Sequence, residues 1–466
     1  MKTDFDTYLS PFSWRYGSSE MRGIWSEANK RRLWRRIWVV LAQVQAEFGL
    51  VRREQADDLR AHAEEIDIPR AIEVEMELHH DLMAEIQVYA EQCPEGGGII
   101  HLGATSMDIK DHATLLQIRE ALDRISGGLR HLLFVLSQKM LRYNTLPIIA
   151  FTHLQPAEPS TLGYRLAQYA QDLLEDWEDT CRVRDGLRGK GFRGAVGTGA
   201  SYVELLGADK FPRFEARLSE ELGVSWYPVS TQTYPRKQEY QVLNVLAGLG
   251  ASLHKFALDL RVLQSPPLGE LSEPFSVGQV GSSAMPFKRN PIQAEKMNSL
   301  ARLLAQLPRV AWDNAAFSLL ERTLDDSANR RSILPEAFLI ADELIKTATS
   351  IIQDLQVEEA AMSANLKTYA PFAATERVLV ALVKAGADRQ VMYRRLHQHA
   401  LKAWEAVKAG QANPISGFVT GDEELLRYLP EKALQSLMEA EHYLGDAPDR
   451  TRTFAESIIG RLEGTE

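Results

Sequence analysis

Between residues 113 and 143, Leu115, Leu122, Ile125, Leu129, Leu132, Leu136 and Met140 recur at helical intervals, and Pro147 closes the run. That period predicts one long amphipathic helix, loosened where Gly127 and Gly128 interrupt it. A second helix is expected to begin near Pro159, Ser160 and Thr161, whose hydroxyls can cap orphan amides. It carries Leu162, Leu166, Tyr169, Leu173 and Trp177 on one stripe. A third fits between Pro235 and Pro266, where Val242, Leu246, Leu249, Leu253, Phe256, Leu260 and Leu263 keep the period. At 1.5 Å per residue it would reach roughly 40 Å. Helices of this length pack as a bundle. Alternating strand patterns are scarce, and the apolar piece at 147–151 is too brief to carry a sheet.

The expected fold class is therefore all-α, in three helical domains. Residues 1–105 form an N-terminal domain of charged short helices, ending after the run Gly96, Gly97, Gly98. Residues 106–357 form the central bundle. Residues 358–466 return to shorter helices, broken by Pro371, Pro414 and Pro430.

Composition narrows the class. A chain of 466 residues, 45% hydrophobic, can bury a large core. No uninterrupted apolar run approaches the length of a membrane span, and residues 1–10 lack a cationic stretch followed by an apolar one. A soluble cytoplasmic protein with no membrane partner is the expectation. Cys93 and Cys181 supply neither a disulfide framework nor paired metal motifs, and both are expected to be buried. A net charge of -10 argues against a general nucleic-acid binder but leaves room for a local basic pocket around a small anion.

Three stretches invite functional readings that their residues do not sustain. His79, His80 and Asp81 are adjacent, so they would point in different directions from a helix, and no His-Glu-x-x-His pattern accompanies them; no metal is expected. "GAVGTGAS" (194–201) has the glycines of a phosphate loop without its Lys-Ser/Thr ending, and reads as a flexible turn near a ligand. "KRRLWRRIW" (30–38) interleaves arginine with tryptophan, but Leu33, Trp34, Ile37, Trp38 and Leu41 make one apolar stripe, which leaves the arginines on a solvated face.

"GSSAMPFKRNP" (281–291) is different. Gly281 and two prolines keep it out of regular structure, so its amides and the Ser282, Ser283, Lys288 and Asn290 side chains can converge on an anion. A surface connection with a capping serine fits the spacing equally well. The stretch closely resembles the signature loop of the fumarase and aspartase superfamily, and its Ala-Met-Pro-aromatic-Lys-Arg-Asn form is similar to that of the adenylosuccinate lyase family. Five further stretches resemble that family in order along nearly the whole chain: "SPFSWRYGSSEM" (10–21), "HDLMAE" (80–85), "GIIHLGATS" (98–106), "FTHLQPAEPSTLGYR" (151–165) and "ERTLDDSANRR" (321–331).

The resemblance implies β-elimination of fumarate from adenylosuccinate to give AMP, and from the succinylated aminoimidazole carboxamide ribotide of purine synthesis. It implies Ser282 as base and His153 as acid. Thr105, Ser106, Lys288 and Asn290 would hold the succinyl carboxylate, and Arg15, Tyr16, Arg322, Ser327 and Arg331 the 5′-phosphate. His80 and Asp81 would lie near the phosphate and acid ends. It also implies a homotetramer with shared active sites, and no cofactor. By spacing alone, Arg322 and Arg331 would more often be helix-surface ion pairs with Asp325 and Asp326. The chain departs from the family pattern at His79 and Lys296, where arginine is common, and at Gly199, where a glutamine often contacts substrate. Those departures keep open a superfamily lyase acting on a different N-succinyl compound. A non-catalytic helical nucleotide-binding protein is the other alternative.

Overall fold

The computed structural model describes residues 5–276 and 278–464 and is helical nearly throughout. Five long helices dominate: Ser106–Arg142, Leu162–Asp185, Lys237–Leu263, Asp326–Gln353 and Glu359–Lys384. The first three are those the apolar period predicts, and every residue of their three stripes is buried. Thr161 caps the second, its Oγ1 accepting from the Tyr164 amide at 3.0 Å.

The first long helix runs through Gly127 and Gly128 without a break. A Cβ built at Gly128 would lie 3.1 Å from Ile345 Cγ2, whereas one at Gly127 would meet nothing within 4 Å. Gly128 lets a neighbouring helix come close; it does not loosen the turn. Pro371 likewise lies inside a continuous helix, Glu359–Lys384. Burial of Ala370, Ala373 and Ala374 around it outweighs the local propensity against proline. Pro414 and Pro430 do mark boundaries, each standing immediately before a short helix.

By contacts the chain forms two compact units, Met1–Leu129 with Glu175–Leu253 and Ser299–Lys346, and Arg130–Leu174 with His254–Asn298 and Thr347–Glu466. In the first, the Glu27–Glu47 helix buries Leu33, Trp34, Ile37, Trp38 and Leu41 as expected. Its arginines divide. Arg32 and Arg36 face solvent, but Arg31 and Arg35 are buried and both donate to Glu85, each at 2.7 Å. A fully buried carboxylate is tolerable only with such partners, so half of the expected solvated face is an internal ion cluster. The 194–201 stretch is also more closely held than a flexible turn: a Cβ at Gly197 would lie 2.0 Å from the Ser230 carbonyl oxygen. Cys93 is buried, while Cys181 is only partly so, beside Ser126.

In the second unit, residues 147–161 form a β-hairpin that the apolar pattern does not predict. Strand β1 (Pro147–Thr152) pairs antiparallel with strand β2 (Gln155–Thr161), with a register shift between Ile149 and Phe151. Ile149 joins a core cluster with Leu366, Ala370, Ala374 and Val378 of the Glu359–Lys384 helix, which anchors the hairpin. No helix among the described residues is long and apolar enough to cross a membrane.

Candidate active site

Asp81, Arg322, Ser327 and Arg331 line one cavity of roughly 140 Å³ in the first unit. They arrive there from separate places. Asp81 opens the Asp81–Gln92 helix, Arg322 sits on the irregular segment before the Asp326–Gln353 helix, and Ser327 and Arg331 lie in that helix's first turns. Lys30, Lys110 and Arg330 complete a wall on which five cations face the carboxylates of Glu27 and Asp81.

Lys110 Nζ donates to both Asp81 oxygens at 2.8 Å, and Arg331 Nη2 to one of them at 2.9 Å. Burial alone would raise the Asp81 pKa, but Lys110 and then Arg331 outweigh it and hold the carboxyl at about 2. Lys30 pairs with Glu27 and lies over the Trp34 ring; burial lowers its pKa more than Glu27 raises it. Such a wall suits a compact dianion.

Sequence reasoning missed Lys30, Lys110 and Arg330. Lys30 lies in the run read as a solvated face, and Lys110 is one helical turn beyond Ser106, a spacing that could have suggested it. Arg330 is adjacent to Arg331, but its burial against Glu239 depends on a contact 91 residues away. The Arg322–Asp326 pair that spacing allowed does form, at 2.8 Å, yet it is partly buried, with Asp326 inside the protein rather than on the helix surface. Arg331 chooses Asp81, and Asp325 instead accepts from Thr323 Oγ1.

The remaining first-unit candidates lie off this cavity wall. Arg15 and Tyr16 follow a turn whose Pro11 carbonyl accepts both their amides, and the Arg15 guanidinium rests 5.6 Å from the Trp14 ring centroid. Thr105 and Ser106 begin the Ser106–Arg142 helix, where unpaired amides and the helix dipole favour an anion; the Thr105 amide itself donates to Asp108 at 2.8 Å. His80 caps the Asp81–Gln92 helix, Nδ1 accepting from Met83 at 3.2 Å. His79 ends the preceding helix with a φ of 53°, exposed. Gly199 has a φ of 70°, and its Cβ would lie 2.5 Å from the Phe211 ring, so the position is shaped for glycine, not for a side chain reaching substrate.

In the second unit, His153 and Leu154 form the two-residue tip of the hairpin, with φ of 54° and 59°. Positive φ at both positions is what a type I′ turn needs, and non-glycine residues hold it at a cost. His153 is thereby exposed at a strained point on an anchored hairpin. Ser282 Oγ accepts from the amides of Met285 at 3.1 Å and Ala284 at 3.4 Å. Asn290 Nδ2 closes the loop onto the Gly281 carbonyl at 2.9 Å, and a Cβ at Gly281 would meet the Lys288 carbonyl at 2.1 Å. Lys288 and Asn290 line a separate cavity of this unit, with Arg289 and Glu273. Lys296 is half-buried on the Ile292–Leu304 helix. Among the described residues, His153 and Ser282 share no hydrogen bond.

Asp58, His62 and Cys93 stand close enough to share an ion, with candidate ligand atoms within 4.8 Å of one another. Their chemistry fits poorly. Burial pushes the Cys93 thiol up to about 12, far from the thiolate a metal takes, and Asp58 Oδ2 already accepts from the Glu95 and Gly96 amides.

Fold and loop together define a lyase of the fumarase and aspartase superfamily. A lyase family model matches residues 16–304, and a second, for the adenylosuccinate lyase C-terminus, matches 371–454. The fold is shared with a fumarate lyase from Mesorhizobium sp. BNC1, at a TM-score of 0.84 and 24% identity over 97% of this chain and 99% of that one. The chain is 39% identical to an adenylosuccinate lyase of Saccharomyces cerevisiae over 98% of its length and 95% of the relative's. It is 36% identical to one of Schistosoma mansoni, over 98% and 96%. The chain belongs to the adenylosuccinate lyase family.

Proposed function

We propose that this lyase eliminates fumarate from adenylosuccinate, leaving AMP, and acts in the same way on the succinylated aminoimidazole carboxamide ribotide of purine synthesis. The observation that carries the reading is the convergence of Lys30, Lys110, Arg322, Arg330 and Arg331 on one small cavity. A succinyl amine without a phosphate has no use for it.

Ser282 removes the proton from the carbon beside the succinyl carboxylate. The electron pair forms the fumarate double bond as the carbon–nitrogen bond breaks, and His153 protonates the departing purine nitrogen. The two amides aimed at Ser282 Oγ favour its ionised form, which a serine base requires. Thr105, Ser106, Lys288 and Asn290 hold the carboxylate as negative charge accumulates there. Arg15, Tyr16, Arg322, Ser327 and Arg331 take the phosphate, with His79, His80, Asp81 and Lys296 around the substrate. Proton and electron pair stay within substrate and protein, so the reaction calls for no metal or other cofactor.

The working form is a cytoplasmic homotetramer with active sites shared between chains. Exposed Phe317, Leu319, Leu320 and Leu324 offer apolar surface for such an assembly. The division into helical segments 1–105, 106–357 and 358–466 belongs to the same proposal.

Purified protein given adenylosuccinate should release AMP and fumarate in equal amounts, with argininosuccinate and aspartate as inert controls. Cleavage of another succinyl amine, with adenylosuccinate inert, would keep the reaction class and overturn the substrate.

A further inference from the structure

Behind the cavity wall lies a second layer of charge with no access to a ligand. Arg236 is buried; its Nε donates to Asp326 Oδ2 at 2.7 Å and its Nη1 to Asp111 Oδ1 at 3.0 Å. Asp326, also buried, passes its other oxygen forward to Arg322 Nη1 at 2.8 Å. Beside this chain, Glu239 accepts from Arg330 Nε at 2.8 Å and from the Tyr234 hydroxyl at 2.5 Å. Three guanidiniums, of Arg236, Arg322 and Arg330, thus meet three carboxylates, of Asp111, Glu239 and Asp326. The balance leaves Asp326 ionised: burial opposes its charge, but Arg236, Arg330 and Arg322 together bring its pKa below the usual value.

Arg322 depends on this layer more than its neighbours do. It sits outside any helix, on a segment flanked by exposed Leu319, Leu320 and Leu324, where its amide is held to the Leu319 carbonyl at 3.1 Å but its long side chain is not packed into a helix face. A free arginine would sample many rotamers. We propose that Asp326, itself anchored by Arg236, is a positioning residue that aims Arg322 into the cavity before an anionic substrate arrives. Asp326 touches no substrate; it acts through Arg322, bonded to it at 2.8 Å, while Arg330 lies farther off at 4.0 Å. The inference rests on the reading of the cavity as the phosphate site.

The test is the steady-state kinetics of Arg322→Ala, Asp326→Asn, Asp326→Glu and the Arg322→Ala/Asp326→Asn double variant on adenylosuccinate. Losing a charge-assisted hydrogen bond corresponds to about 10- to 100-fold, and Arg322→Ala should raise KM by about that much. Asp326→Asn should raise KM about 10-fold with kcat within about threefold, and Asp326→Glu should recover part of the loss. The double variant should be no worse than Arg322→Ala alone, because a residue acting only through Arg322 has nothing left to position. Additive effects on KM, or an Asp326→Asn enzyme with unchanged KM, would overturn the positioning role and leave the phosphate reading in place. An unchanged KM in Arg322→Ala would overturn the phosphate reading itself. Should Asp326→Asn fail to fold, Arg236→Lys replaces it, since a single ammonium nitrogen lacks the separate Nε and Nη1 donors that fix Asp326 and Asp111; the same KM rise is expected and an unchanged KM overturns the proposal.

Discussion

Arg331 and Asp81, 250 residues apart in the chain, meet at 2.9 Å across the cationic cavity. Arg331 is 56% exposed, so the pair in isolation contributes little to stability. Its meaning lies in Lys110, which binds the same carboxylate from the buried side at 2.8 Å. Asp81 is the internal counter-ion of the cluster, and an anion entering the cavity would compete with it for Arg331.

Arg331→Ala should therefore weaken substrate binding rather than chemistry. Loss of a charge-assisted hydrogen bond predicts a KM for adenylosuccinate higher by about 10- to 100-fold, with kcat nearly unchanged. Initial rates across a substrate series check this. An equal fall in kcat and kcat/KM would move Arg331 from the phosphate to the reacting end.

Ser282→Ala should do the reverse. Removal of a general base costs about 100- to 10,000-fold in turnover, while the amides of Met285 and Ala284 that now point at Oγ would remain free to hold the loop's shape through water. Binding, followed by calorimetry with AMP, should stay close to that of the unmodified protein. Near-normal turnover would remove Ser282 from the mechanism.

The long helices were legible because their stripes depend only on local period: Leu122, Leu129, Leu136 and Met140 are buried whatever else the chain does. The hairpin was not. Its turn carries His153 and Leu154 in place of Asn-Gly, and Pro156 and Pro159 interrupt β2, so neither turn chemistry nor alternation announces it. What stabilises it is Ile149 packing on a helix more than 200 residues later, and no local pattern contains that. The site divides in the same way. Asp81, Arg322, Ser327 and Arg331 came from motif resemblance and do share a cavity, whereas Lys30 and Arg330 owe their place to tertiary contacts. Arg31 and Arg35 fail for a related reason: their periodicity says polar face, and only the distant Glu85 makes burial tolerable.

Adjacent glycines in the Ser106–Arg142 helix should respond oppositely to substitution. Gly127→Ala adds a methyl where nothing lies within 4 Å, so helix propensity predicts a gain of about 0.5–1 kcal/mol. Gly128→Val forces a branched side chain toward Ile345, 3.1 Å from where its Cβ would sit, and should lose about 1–3 kcal/mol. Denaturant midpoints would report both. A stable Gly128→Val protein would mean that Ile345 can yield.

His112 should make the fold acid-sensitive. The ring is buried between Phe192 and Trp226, at centroid distances of 5.0 and 4.9 Å, and its Nδ1 lies 2.5 Å from the Asp108 carbonyl oxygen. Burial, with Lys190 beside it, pushes its pKa down to about 4. Between there and the unfolded value near 6.5, the unfolded chain holds more protons, so stability falls as pH drops through that window. The full shift corresponds to about 3 kcal/mol. His112→Phe keeps the stacking and should flatten the slope of stability against pH from 6.5 to 4. An unchanged slope would assign the acid sensitivity to other groups.

If active sites are shared between chains, as proposed, assembly carries the sharpest test. His153 stands at an exposed hairpin tip beside Leu154, 73% exposed, and the Ser282 loop carries Val280 and Phe287, 74% and 82% exposed. Apolar side chains flanking both His153 and Ser282 are costly in water and suit cover by a neighbouring chain. If His153 and Ser282 act at one site from different subunits, His153→Ala and Ser282→Ala proteins should each be inactive alone. Mixed under conditions that exchange subunits, they should regain activity, because some sites then receive both intact groups. Equal random mixing makes that fraction roughly one quarter, the product of two independent halves. Recovery near that level, measured as fumarate release and matched to a tetramer by sedimentation, is the expected result. An exchanged assembly with no recovered activity would place His153 and Ser282 of each site on the same chain.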